Sequence, residues 1–370
     1  MKINLSGLIT AIAIGVFAAL EASAQIAPNA PWAQLLTAAK KEGALTLAGP
    51  PARTLRTALT DEFSKAFPEI KIDYIGGFPN ELEPRILAER GAGRYLFDIY
   101  VNGAPSAIFT LKSAGALEPI LPNLVLPEVR DEKRWIGGFK PGVGFADKSA
   151  PLTFFLFDGT ASAIVHVNSK MIGKGELKSF KDLLDPKWKG KIVMDDPRRE
   201  GPGINALAIL ALGQGTDYVR ALLGQQITFT RQPRQIAEWV ARGQYPIGVG
   251  VGTGPLTDLR KEGVGKEVEL FSGEHANNAF SMTPGWGGIA LINRAPHPAA
   301  AKLYLNWLLS KEGQQAYVNP LETRNSRRVD VAPMDKELAL RAGTQYVVSQ
   351  TEEGMPLRLA LKAIAERMYP

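Results

Sequence analysis

Apolar positions along this chain repeat with two alternating periods, and the alternation predicts its architecture. Trp32 to Gly43 has helical spacing, with Lys40 and Lys41 in its last turn and Gly43 as a stop. Ala44 to Ala48 reads as a strand closed by Gly49-Pro50-Pro51. Thr54 to Phe67 returns to helical spacing, with Leu55, Leu59, Phe63 and Phe67 on one face and Pro68 ending it. Ile70 to Ile75 alternates as a second strand, Glu81 to Arg90 is helical, and Tyr95 to Val101 is a third strand. Strands separated by helices of this length predict an α/β fold with a parallel sheet. Ligands of such sheets lie beyond the carboxyl ends of the strands. That draws attention to Arg53 and Thr54 after the first strand, Gly77 after the second, and Asn102 and Gly103 after the third.

The remainder follows the same scheme. Phe154 to Val167 is an apolar run whose one acidic residue is Asp158. Strands are predicted at Ile192–Met194 and Tyr245–Val251, and helices at Ile204–Leu212, Ile236–Arg242 and Leu256–Glu262. Gly285 to Asn293 reads as a short buried strand. It is followed by a proline-marked turn at His297-Pro298 and an amphipathic helix carried on to Tyr317. Ala300, Leu303, Tyr304, Trp307 and Leu308 share one face of that helix. Glu337 to Met368 is predicted helical.

Two of these segments carry more than periodicity. Gly285 to Tyr317, and Phe180-Lys181-Asp182-Leu183-Leu184-Asp185-Pro186-Lys187-Trp188-Lys189-Gly190-Lys191-Ile192, resemble the periplasmic solute-binding proteins of ABC importers. They are most similar to the branch whose members bind ferric iron, and the resemblance runs from about Trp32 to Val331. It implies a two-lobed type II periplasmic binding protein fold with the solute in a cleft and two interlobe crossings. The crossings would lie at the end of Phe154–Val167 and near Ala276–Ser281. Residues 25–165 and 282–315 would form the first lobe, and 166–281 and 316–370 the second. The implied role is capture by lobe closure and delivery to a permease in the inner membrane, without catalysis.

The N-terminus agrees with that class. Lys2, the apolar run Leu8–Leu20 and Ala22-Ser23-Ala24 make residues 1–24 a secretory signal peptide, cleaved after Ala24 for the periplasm. The absence of cysteine excludes a lipidated cysteine, disulfides and thiolate metal sites. The net charge is +6, with basic residues scattered or paired, as at Arg198-Arg199 and Arg327-Arg328. These pairs read as solvated surface. With no basic stripe interleaved with aromatics, nucleic acid is not an expected partner. A monomer is expected.

Catalytic chemistry finds no foothold. His166, His275 and His297 stand far apart, and His166 within an apolar run reads as a core or hinge residue rather than a base. Asp195 and Asp196 are neighbours on a strand and should point to opposite faces. No cofactor or resident metal is expected.

Gly248-Val249-Gly250-Val251-Gly252-Thr253-Gly254-Pro255 is the segment that bears on the solute. Alternate glycines leave one strand face bare, for a ligand or for a neighbouring helix. Pro255 then suits the first residue of a helix, and beside Thr253 the amides of Gly254 and Leu256 at that helix start favour an anion. The resemblance implies a tyrosine pair here in iron binders, yet no tyrosine is present, and Val167 replaces another at the first crossing. Arg53 on one lobe, Arg198 and Arg199 on the other, and Gly203 at a second helix start instead suit a carboxylate or phosphate. Trp286, between Gly285 and Gly287, either walls the cleft or packs near the hinge. The expected solute is therefore a small organic anion, with ferric iron as the alternative. A periplasmic enzyme on the same scaffold is the remaining possibility from another class.

Overall fold

The computed structural model describes residues 30–370 apart from 163, 174, 272–279, 342 and 345. The expected signal peptide and most of the second expected crossing lie outside the described residues. Helix α1 (Ala30–Glu42) leads into β1 (Ala44–Gly49), α2 (Arg53–Ala66), β2 (Lys71–Gly76), α3 (Pro79–Gly91) and β3 (Ile99–Asn102). β1 pairs parallel with both β2 and β3, as the alternation of periods requires. The short helix α4 (Ala104–Ala107), strand β4 (Leu117–Glu118), helix α5 (Pro127–Arg130) and strand β5 (Phe155–Leu156) follow.

The chain then builds a second sheet. It contains β6 (Val165–Asn168), β7 (Ile192–Asp195), β8 (Thr228–Thr230), β9 (Ile247–Val249) and β10 (Val268–Leu270), in the order β10-β6-β9-β7-β8. Helices α6 (Pro202–Gln214), α7 (Thr216–Leu223), α8 (Pro233–Ala241) and α9 (Thr253–Lys261) cover it. Residues 203 to 211 of α6 are all buried, so no amphipathic stripe marks it. Strand β8 and helix α7 are short and were not legible as elements in the sequence.

Strand β11 (Phe280–Ser281) and strand β12 (Gly288–Ile292) return the chain. β12 inserts antiparallel between β3 and β4, completing the first sheet in the order β2-β1-β3-β12-β4, with β5 also on β12. The single helix expected after His297 is two, α10 (Pro298–Leu309) and α11 (Lys311–Val318). Ser310 leaves the helical conformation and its Oγ caps Gly313 at 3.1 Å. α10 is buried on nearly every side rather than along one stripe. Phe63 of α2 meets Phe67 in a tilted contact at 4.9 Å and Tyr304 and Trp307 edge-on at 5.0 and 5.1 Å. Each such buried ring contributes about 1.5–3 kcal/mol.

The predicted helix over Glu337–Met368 is confined to α12 (Gly354–Met368). Before it come turns and strand β13 (Tyr346–Val347), which pairs with β11. Each sheet is covered on both faces, by α1, α2, α10 and α11 against α3 and α4 in the first lobe. In the second, α6, α7 and α12 oppose α8 and α9.

The stretch 316–331, grouped with the second lobe from the sequence, packs on the first. Tyr317, Val318 and Val331 belong to the first core, and the Tyr317 ring lies 4.8 Å from that of Phe157. The chain thus passes between lobes a third time, between Val331 and α12. The pair Arg327-Arg328 is not solvated surface but almost fully buried. Arg327 donates to the carbonyls of Leu156, Ile136 and Gly138, and burial pushes its guanidinium down to about 9. Arg328 donates to the Leu309 carbonyl and pairs with Glu128 and Asp330. These two side chains hold the returning chain against the first lobe.

Candidate functional site

The carboxyl ends of β1, β2 and β3 and the start of β12 form one rim on the first lobe. The Gly77 amide donates to the Gly49 carbonyl at 2.9 Å, joining the first two loops. Asn102 Nδ2 donates to the Gly77 carbonyl at 3.2 Å, while its Oδ1 accepts the Gly103 amide at 2.9 Å. Gly77, Asn102 and Gly103 therefore build the rim and spend their polar groups on one another. Arg53 and Thr54 stand exposed at the start of α2, and Arg53 makes no ion pair among the described residues.

Trp286 is brought to this rim by a loop with no spare room. Gly285 has φ +58°, its amide donates to Gln350 Oε1 at 3.1 Å, and a Cβ there would meet the Arg324 guanidinium at 3.0 Å. A Cβ on Gly287 would fall 2.1 Å from Asp158 Cβ. Trp286 is 37% exposed and Phe78, at the start of α3, is 48% exposed. Their ring centroids are 6.4 Å apart with planes at 62°. Phe78 was not singled out from the sequence. Nothing local distinguishes it, because β12 enters the first sheet from the far end of the chain.

The second rim lies at the ends of β7 and β9, and here the arginine expectation changes. Arg198 is bound by Asp196 through Nε at 2.8 Å and Nη2 at 3.0 Å, and donates to the Tyr369 carbonyl at 2.7 Å. Arg199 Nη2 donates to Asp195 Oδ1 at 2.6 Å. Burial works against ionisation of Asp196, yet hydrogen bonds from Arg198 and Arg231 hold it down at about 2. Burial pushes Asp195 above its usual range despite the Gly203 amide and Arg199. The two carboxylates serve different partners, as alternation along a strand requires. The start of α6 is not free either, since the Gly203 amide donates to Asp195 Oδ2 at 2.9 Å.

The glycine run divides. A Cβ on Gly248 would lie 2.7 Å from Val240 of α8, and one on Gly250 would lie 2.9 Å from the Gly203 amide. Those two glycines serve packing between backbone and helix. Gly254 has open space beside it, a Cβ on Gly252, with φ +78°, would meet Pro255 Cδ at 3.8 Å, and α9 begins without a side-chain cap. Among the described residues no side chain caps its first amides, which are the donors a helix start leaves over.

Between the rims the passages bind one another. Ser162 and Thr283 share a hydroxyl–hydroxyl hydrogen bond. Asn205 of α6 donates to Thr283 Oγ1 at 3.1 Å and accepts from Ser349 Oγ at 2.7 Å. Asp158 accepts from Arg324 Nε at 2.6 Å, Tyr317 Oη at 3.0 Å and Thr160 Oγ1 at 2.7 Å. Burial pushes its carboxyl upward, with Arg324 opposing. His166 is buried on β6, its Nδ1 has no hydrogen-bond partner among the described residues, and burial lowers it to about 4. His297 is not merely a surface turn residue, because its Nδ1 lies 2.9 Å from Asp98 Oδ2 and fixes the start of α10. His275 lies outside the described residues.

All nine tyrosine hydroxyls take part in internal hydrogen bonds. The one at the first rim, Tyr74, donates to the Pro50 carbonyl at 2.7 Å, and burial pushes its phenol upward. Among the described residues no three histidine, aspartate or glutamate side chains gather as a metal site would require.

Two double-covered α/β lobes with strand ends turned toward shared passages define the two-lobed periplasmic binding fold. The chain belongs to the family described as bacterial extracellular solute-binding protein, whose model matches residues 45–319. It is similar to the Trichodesmium protein IdiA (FutA) in complex with iron and citrate, at TM-score 0.67 and 19% identity over 88% of this chain and 99% of that one. It is similar to the ferric binding protein of Campylobacter jejuni, at TM-score 0.65 and 18% identity over 87% and 99% of the two chains. A Bordetella parapertussis solute-binding protein gives TM-score 0.66 and 14% identity over 89% and 100%. At such identities the likeness carries the fold alone. An uncharacterized protein of Haemophilus influenzae is 29% identical over 157 residues, which span 40% of this chain and 43% of that protein's length. Among the described residues no helix is long and apolar enough to cross a membrane.

Proposed function

We propose that this chain is the periplasmic solute-capturing component of an ABC importer and that its solute is a small organic anion bearing carboxylate or phosphate. Family membership supports the first part. The second rests on one observation: among the described residues the Arg53 guanidinium on the first rim makes no ion pair and the start of α9 on the second carries no side-chain cap. An anion bridging them gains charge-assisted hydrogen bonds from both lobes and so favours the closed form over the open one. The permease then receives the closed shape. No catalytic step is assigned.

Ferric iron is the second reading, favoured by two structural neighbours whose names carry iron, one of them with citrate. With every tyrosine hydroxyl internally engaged, iron would enter here held by an organic anion rather than by phenolates of the protein. Isothermal titration of the mature chain with citrate, ferric citrate, ferric nitrilotriacetate and inorganic phosphate separates the readings. Binding of citrate or phosphate without metal supports the anion. Binding confined to the ferric complexes transfers the assignment to iron.

A further inference from the structure

We infer that the Phe78–Trp286 pair is an aromatic wall of the solute site and that it selects an anion carrying a flat, unsaturated ring. The inference rests on the reading that the solute lodges between the two rims, and it adds the chemistry of the solute's uncharged part. Large aromatic side chains normally hide most of their surface. These two rings lie edge to face, one donated by the β2–α3 loop and the other by the loop before β12, and both remain well exposed.

Neither ring is exposed through slack backbone. The Phe78 amide donates to Glu81 Oε2 at 2.9 Å, and its carbonyl accepts the Glu81 amide at 2.9 Å, which fixes the start of α3. Trp286 is flanked by Gly285 and Gly287, which are boxed in by Arg324 and Asp158 respectively. Gly103 lies beneath the wall, where a Cβ would make ordinary contact with Trp286 Cδ1 at 3.9 Å and the Gly285 carbonyl at 3.5 Å. Rigid, solvent-facing aromatic surface beside a cationic loop is suited to a ring that trades water for stacking while its acid group meets Arg53. Ferric ion or bare phosphate would gain nothing from it.

The test uses matched probes that share an acid group and differ in the ring. The mature chain is titrated calorimetrically with phenylphosphonate against methylphosphonate, and with benzoate against acetate. Burying a phenyl group against the wall predicts a preference of about tenfold or more for the ring-bearing partner. Phe78→Ala and Trp286→Ala should abolish the preference, Trp286→Phe should keep most of it, and Arg53→Ala should weaken both partners alike. Equal binding of the two partners, a preference that survives Trp286→Ala, or no binding of the four probes or of neutral phenol overturns the inference. If benzoate and acetate both bind and neither aromatic variant alters the affinity of benzoate, the wall fails while the anion reading stands. If neutral phenol binds and loses affinity in both variants while no acid binds, the wall stands and the anion reading falls.

Discussion

The Gly203 amide donates to Asp195 Oδ2 at 2.9 Å, so the start of α6 is filled by a carboxylate of the chain itself. Asp195 also accepts Arg199 at 2.6 Å and is fully buried. A place that invites an external anion on sequence grounds is thereby closed to it. Asp195→Ala would orphan a buried amide and leave the Arg199 guanidinium with the Arg231 carbonyl but without its carboxylate. The expected loss is about 2–4 kcal/mol. A lowered midpoint in urea denaturation, with solute affinity per folded molecule retained, would bear this out.

Arg53 and Arg198 should separate cleanly. Arg53 is exposed and unpaired at the first rim, whereas Arg198 is tied to Asp196 and the Tyr369 carbonyl. Arg53→Ala should weaken the bound anion by about 1.5–3 kcal/mol, the worth of a charged hydrogen bond, without altering stability. Arg198→Ala should lower thermal stability and leave affinity within about twofold, because surface-side losses of this kind do not reach the solute. Calorimetric titration and thermal unfolding of both variants decide it. Reversed behaviour would move the site.

Asp158 stands where the first passage leaves the first lobe and gathers Arg324, Tyr317 and Thr160. Asp158→Ala would leave Arg324 without its carboxylate and the Tyr317 hydroxyl without an acceptor inside the core. A cost of about 3–5 kcal/mol is expected from breaking a buried ion pair. Chemical denaturation would show it. Asp158→Asn should recover part of the loss, since two neutral donors keep an acceptor.

His166 predicts a pH dependence. Its folded value, about 4, lies below the ordinary histidine value of 6.5. The unfolded chain therefore takes up the proton first as pH falls. Stability is complete above about pH 6.5 and declines toward pH 4, by at most about 3 kcal/mol. Arg260 disfavours protonation further, while Asp335 and Glu337 line the same cleft. His166→Gln should flatten this part of the curve of stability against pH. An unchanged slope would show that other groups set it.

The first lobe was largely legible because its elements are local. Leu55, Leu59 and Phe63 at helical spacing, and Ile70 to Ile75 in alternation, state their structure within a dozen residues. α10 and α11 were harder, because a helix buried on all sides has no stripe and Ser310 breaks the run through its own cap. The glycine run was read as either packing or ligand approach; Gly248 and Gly250 serve packing, while Gly254 has open space beside it.

The sequence alone determined the α/β class, the resemblance to solute-binding proteins, the loops at the strand ends and the lack of cysteine chemistry. Those properties reside in spacing and composition. Only the tertiary structure decided which charges remain available. Asp195 and Asp196 neutralise Arg199 and Arg198, and Arg327 and Arg328 are drawn inside to hold the returning chain. It also placed Phe78 beside Trp286, although 208 positions separate them in the chain. Charge pairing and ring contact depend on which distant strands become neighbours, and β12 entering beside β3 is a choice no local pattern records.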